Sequence, residues 1–300
     1  MPQGLGVQVS PCPQRTSFLQ LSLLKENCLA TIYTMYMSEH LPGSRRSKIT
    51  TTPSSSQEDL LRQYWASFPP YPTASFRATE DALSIAAEQT VLVNNADLQR
   101  EIVEAEHLLA QEEHTSQFLD HIARFVADQF PGNVEKWHME FVNTGVDADT
   151  TLADVKKAGA ASCFHRAIAL GTVLQRVGIE AKAAVGYVLE SDRESPFHIP
   201  PGANLGPGAM GVYVLENESF EGHVFNIARN AGEVYLVDSA MLLVDEFGKS
   251  TDPVVEKVDV AAHVEKHDGV HQAVSMQLRS GRYRHYVFQR KGVTVEAVQT

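Results

Sequence analysis

The sequence predicts an α+β protein, and three observations carry that reading. Apolar residues recur at three-to-four spacing through 97–130, the mark of an amphipathic helical layer. A further helix is expected to begin at Cys163 and to lead directly into a β-rich run over 179–189. Two more strand-like runs, 223–228 and 233–238, then face each other across a four-residue turn.

Taken in order, residues 1–57 read as a disordered tail, because 41–58, LPGSRRSKITTTPSSSQE, offers almost no large apolar side chain to offset the entropy of ordering it. Residues 58–132 read as a helical N-terminal part. Asp59-Leu60-Leu61 opens a short helix, 81–87 forms a second, and 97–130 carries Ile102, Leu108, Leu109, Phe118, Leu119, Ile122, Phe125 and Val126 at three-to-four spacing. His107, His114 and His121 recur there every seven residues. Seven residues rise about 10 Å along a helix, too far for neighbouring imidazoles to share an ion, so this row reads as a solvated face.

Residues 133–300 read as the core of the protein. Ser162 can cap a helix whose apolar face runs Cys163, Ala167, Leu170, Leu174 and Val177, with Gly178 in the C′ position. After the strand over 179–189, the segment 191–222 carries Pro196, Pro200, Pro201, Gly202, Gly206, Pro207, Gly208 and Gly211. That density of breakers predicts a long loop, with a short strand over 212–215. A hairpin closed around Asn230-Ala231 pairs residues whose numbers sum to 461 and sets His223 opposite Asp238. Moving the turn by one residue makes the pair diagonal but leaves both on one face. A helix over 254–268 and a final strand over 282–289 complete the expected order.

Composition bounds the function. With 25 Lys and Arg against 37 Asp and Glu, the net charge of −12 argues against nucleic acid as a partner, since phosphate binding relies on neutralisation by cations. Arg279, Arg282, Arg284, Arg290 and Lys291 gather around Tyr283, Tyr286 and Phe288, which reads as a solvated strand face. Lys25 and Glu26 interrupt the most apolar N-terminal stretch, so no transmembrane segment is expected. Cys12, Cys28 and Cys163 form no disulfide framework and no zinc knuckle. Reducing cytoplasm is the default compartment, with weak or non-classical export left open.

One constellation carries chemistry. A cysteine at a helix N-terminus sits in the positive end of the helix dipole, and a nearby imidazole can hold a proton against it. Both effects favour the thiolate, the form that attacks carbonyls. Cys163 is placed for this, His223 can relay the proton, and Asp238 can orient the imidazole and stabilise its charge. Such chemistry calls for no cofactor and no metal. A second histidine row, His263, His267 and His271, has helical spacing, but Gly269 interrupts it and no HExxH glutamate is present.

Residues 158–188, AGAASCFHRAIALGTVLQRVGIEAKAAVGYV, and 222–241, GHVFNIARNAGEVYLVDSAM, resemble the Cys segment and the His and Asp strands of the transglutaminase-like superfamily. The resemblance covers about 80 of 300 residues. It implies a papain-like core, one helix on an antiparallel sheet, with Cys163, His223 and Asp238 as a triad that forms a thioester from a peptide or protein amide. Hydrolysis and transfer to an amine are both open. Ala161, Phe225 and Ser239 depart from the family's usual Gly, Trp and Pro, so specificity does not carry over. The oxyanion hole should include the Cys163 N–H, and Trp137, His138 and Asn143 are upstream candidates for its second donor. The same departures leave open a catalytically inactive member of the fold that binds a peptide or protein. The Cys-His-Asp order is also similar to that of arylamine N-acetyltransferases, although their Arg-Gly-Gly-x-Cys motif is here Gly159-Ala160-Ala161-Ser162-Cys163.

Overall fold

The computed structural model describes residues 65–66, 71–72, 75–80, 89–112, 116–132, 150–195, 197, 212–239, 253–258 and 272–298, all within one compact unit, 54–300. Helices and antiparallel strands are both present, so the molecule is α+β.

Its larger sheet has the order β8-β7-β6-β4-β10-β9, with β5 added beside β6. These strands are β4 (Glu180–Ser191), β5 (Val212–Leu215), β6 (Glu218–Asn230), β7 (Glu233–Asp238), β8 (Val254–Lys257), β9 (Gln272–Gln277) and β10 (Tyr283–Gly292). A smaller sheet, order β11-β1-β2-β3, joins β1 (Phe76–Glu80), β2 (Gln89–Val93), β3 (Thr150–Thr151) and β11 (Thr294–Ala297). The described helices are α1 (Gln99–Glu112), α2 (Ser116–Gln129), α3 (Leu152–Ala158) and α4 (Cys163–Arg176), with a 3-10 turn at Asn95–Leu98.

Two apolar clusters form the core. One joins Phe118, Ile122 and Val126 of α2 to Phe164, Ile168 and Leu174 of α4 and to Val185, Tyr187 and Val224 of the large sheet. The other gathers Val188, Phe225, Ile227, Leu236, Met276 and Tyr286, with Trp65 packed against it. Alternation along β6 explains the division. Val224 and Ala228 belong to the first cluster, Phe225 and Ile227 to the second, as the two-residue period of a strand requires.

Several expectations are corrected here. The stretches 76–80 and 89–93, read as part of a helical region, are strands. Phe76, Ala78, Val91 and Val93 are buried at alternate positions, and β1 completes its ladder with β11 from the far end of the chain. The start of the helix expected over 254–268 is strand β8, because Val254 closes the edge of β7 opposite Asp238. Strand β10 is not the last, since β11 follows it, and β9 precedes it unforeseen. The basic stretch is not a solvated face, for Arg284 and Tyr286 are fully buried. The short helices at 59–61 and 81–87, His114, and the row His263, His267, His271 lie outside the described residues. Among the described residues no helix is long and apolar enough to cross a membrane.

Candidate functional site

Helix α4 begins where the sequence placed it. Ser162 is the extended N-cap residue, and its N–H and hydroxyl both meet Nδ1 of His165, at 3.1 and 2.8 Å. At the other end Gly178 adopts φ 85, its N–H bonds the Gln175 carbonyl, and the Ile179 N–H bonds that of Leu174. This is a complete Schellman ending, which only a residue tolerant of positive φ allows. Cys163 is therefore the first helical residue, and it is a free, partly exposed thiol.

The hairpin carrying the other two residues turns at Ala231-Gly232, not at Asn230-Ala231. Both turn residues are left-handed, φ 51 and 83, the type I′ geometry that matches strand twist. Paired residues such as Asn226 and Val237 consequently sum to 463, so His223 and Asp238 are diagonal neighbours on one face. Their side chains meet, His223 Nε2 lying 2.9 Å from Asp238 Oδ2 with both residues buried.

The surroundings of His223 follow from how β6 is edged. One side pairs with β4 from Glu221 to Arg229, while the other pairs with β5 up to Glu221 and with β7 only from Asn226. His223 stands in the interval between these two partners. Its ring lies beside Phe225, 6.1 Å away and nearly parallel, and the Cys163 side chain is near enough to raise its proton affinity. Nε2 being taken by Asp238, Nδ1 is the nitrogen left for sulfur. The three predicted residues are thus brought together.

Charges fix the state of the pair. Burial alone would strip the proton from His223, but the charge and hydrogen bond of Asp238, aided by Cys163, hold its pKa up to about 10. Burial would likewise protonate Asp238, yet His223, Arg284 and Tyr286 outweigh it and bring that carboxyl to about 2. The pair is an imidazolium and a carboxylate at neutral pH.

Four further residues belong to the site and were not foreseen as such. Tyr286 Oη lies 2.5 Å from Asp238 Oδ2, and its own pKa is driven far up by burial and by that charge, so it donates. Arg284 Nη1 lies 3.8 Å from the same Oδ2, while its Nε and Nη2 sit 2.8 and 2.6 Å from Glu190 Oε1. Arg166, one turn along α4 from Cys163, bonds the carbonyls of Phe130 at 2.8 Å and Ser239 at 3.1 Å, tying the start of α4 to the residue after Asp238. The alternation of Arg284 and Tyr286 along a strand was the available signal. Trp137, His138 and Asn143 lie outside the described residues.

Comparison of the chain with family models, with curated proteins and with solved structures finds no match.

Proposed function

We propose that the protein is a cysteine-dependent amide hydrolase or acyltransferase with a papain-like and transglutaminase-like core, acting on a peptide or protein amide through a thioester on Cys163. The observation that supports this most is the single chain of contacts from the Cys163 thiol through His223 to a buried, ionised Asp238. In this reading the proton of Cys163 already resides on His223 when Sγ bonds to the carbonyl carbon, and the oxyanion forms beside the first-turn N–H groups of α4. Collapse breaks the C–N bond, His223 gives its proton to the departing amine, and a thioester remains. Water deprotonated by His223 then releases the acid and restores the thiol, or an amine does so and leaves a new amide.

The test is the second-order rate of iodoacetamide with Cys163, read by peptide mass mapping at pH 6–7. Cys163 should react much faster than Cys12, Cys28 or the same thiol in the unfolded chain. His223→Ala should abolish the advantage, and Asp238→Asn should remove most of it, in keeping with triads where that change costs up to about four orders of magnitude in turnover. A native rate equal to the unfolded rate, indifferent to both substitutions, would overturn the reading in favour of a binding fold without chemistry.

A further inference from the structure

Three donors converge on one oxygen. His223 Nε2, Tyr286 Oη and Arg284 Nη1 all approach Oδ2 of Asp238, at 2.9, 2.5 and 3.8 Å. In an arrangement built only to hold an imidazole, that oxygen would serve the imidazole alone. Here Arg284 and Tyr286 come from β10, two strands away from β6 through β4, and all of these groups are buried. Burying an arginine and a tyrosine against a catalytic-type carboxylate is costly unless each is matched, and each is. Glu190 of β4 accepts two bonds from Arg284 and neutralises it. Arg284 Nη1 also lies 3.4 Å from Tyr286 Oη, and the Tyr286 ring packs edge-on against Phe225 at 5.1 Å.

We propose that Tyr286 and Arg284 are positioning residues that share Oδ2 of Asp238 with His223 and thereby loosen the carboxylate's grip on the imidazole proton. The inference rests on the reading of Cys163, His223 and Asp238 given above. A carboxylate bound to nothing but the imidazole would hold the proton strongly, favouring its arrival from sulfur but resisting its delivery to a departing amine. Competing donors draw electron density from the shared oxygen and weaken that hold. The ionisable groups facing this point are His223 from β6, Tyr286 and Arg284 from β10, and Arg166 and Cys163 from α4, whose charges reach Asp238 and His223. Glu190 acts one step back, by tempering Arg284.

The sign of this effect separates it from mere structural support. Tyr286→Phe keeps the ring against Phe225 and removes the competing donor together with the long 3.4 Å contact from Arg284 Nη1. The midpoint of His223 titration, followed by 15N shifts of labelled imidazole in the full-length chain, should rise by about 0.5 to 1 pH unit. Cys163 should react with iodoacetamide at pH 6 no more slowly than in the parent, since His223 stays protonated beside it. Glu190→Gln should lower the His223 midpoint instead, because an untempered Arg284 draws harder on Asp238. A damaged scaffold would slow alkylation in both variants. Unshifted His223 titration in both, or slower alkylation in folded Tyr286→Phe, would overturn the proposal. Should Tyr286→Phe not fold, the downward shift in Glu190→Gln decides alone, and its absence would refute the idea. If Cys163 instead ignores His223→Ala while the two titration shifts appear, the parent reading fails and the sharing of Oδ2 stands.

Discussion

Replacing Gly171 by alanine should destabilise the protein, against the rule for its position. Gly171 lies inside α4, where Gly→Ala ordinarily stabilises by roughly 1 kcal/mol through helix propensity. A Cβ built there would stand 2.5 Å from Cε2, Cζ and Oη of Tyr71. That ring cannot swing aside cheaply. Tyr71 is buried, packs edge-on against Phe76 at 5.9 Å, and its hydroxyl lies 3.4 Å from the Ala167 carbonyl and 3.2 Å from Asn226 Oδ1. Overpacking costs about 1–3 kcal/mol. Displacing the hydroxyl adds about 1 kcal/mol for its lost hydrogen bonds. Against the propensity gain, the net loss is about 1–3 kcal/mol, or a fall of roughly 3–10 °C in Tm for a unit of this size. Thermal unfolding followed by circular dichroism reads it, and a cycle with Tyr71→Leu, which clears the space, should show the penalty shrinking by more than 1 kcal/mol, well above the roughly 0.5 kcal/mol scatter of independent sites. A Gly171→Ala variant that melts higher than the parent would refute the packing argument.

Stability should also peak near neutrality for two opposed reasons. His165 is fully buried, which lowers its pKa to about 3, so below pH 6.5 the unfolded chain takes up a proton that the folded chain refuses, and stability falls between pH 6.5 and 3. His223, raised to about 10, contributes stability that is complete below pH 6.5 and is lost as pH rises towards 10. Melting across pH 4–10 checks both, and His165→Asn, if folded, should flatten the acid side only. Deleting residues 1–53 should leave the melting transition unchanged, whereas a deletion extending past Tyr71 should lower it, because Lys182 Nζ bonds the Trp65 carbonyl at 2.7 Å and Tyr71 seats on α4.

What could be read in the sequence was local. The helix from Cys163 to Arg176 announced itself at both ends, through Ser162 and Gly178, and the strand at Val212–Leu215 stood out from its breakers. The hairpin register was off by one turn position, yet the period of two kept His223 and Asp238 on the same face, so the error did not scatter the site. What escaped depends on distant partners. Nothing near Phe76 reveals that Ala297 will pair with it, and a strand whose ladder comes from elsewhere looks locally like any short apolar run. Arg284 and Tyr286 were misjudged because a charge in a basic stretch signals water, whereas here Glu190, 94 positions away, and Asp238 supply the counter-charges that let it be buried.

The pairing of β1 with β11 sets a constraint on synthesis. Strand β1 leaves the ribosome long before Thr294 is added, and at about 5–20 residues per second the interval is on the order of ten to forty seconds. Throughout it β1, alternating Phe76 and Ala78 with Arg77 and Thr79, has not yet met the strand that covers this edge in the finished fold. Any segment that reaches that edge first competes with native folding, which makes the burden on cellular chaperones a property of where in the gene the two strands are written.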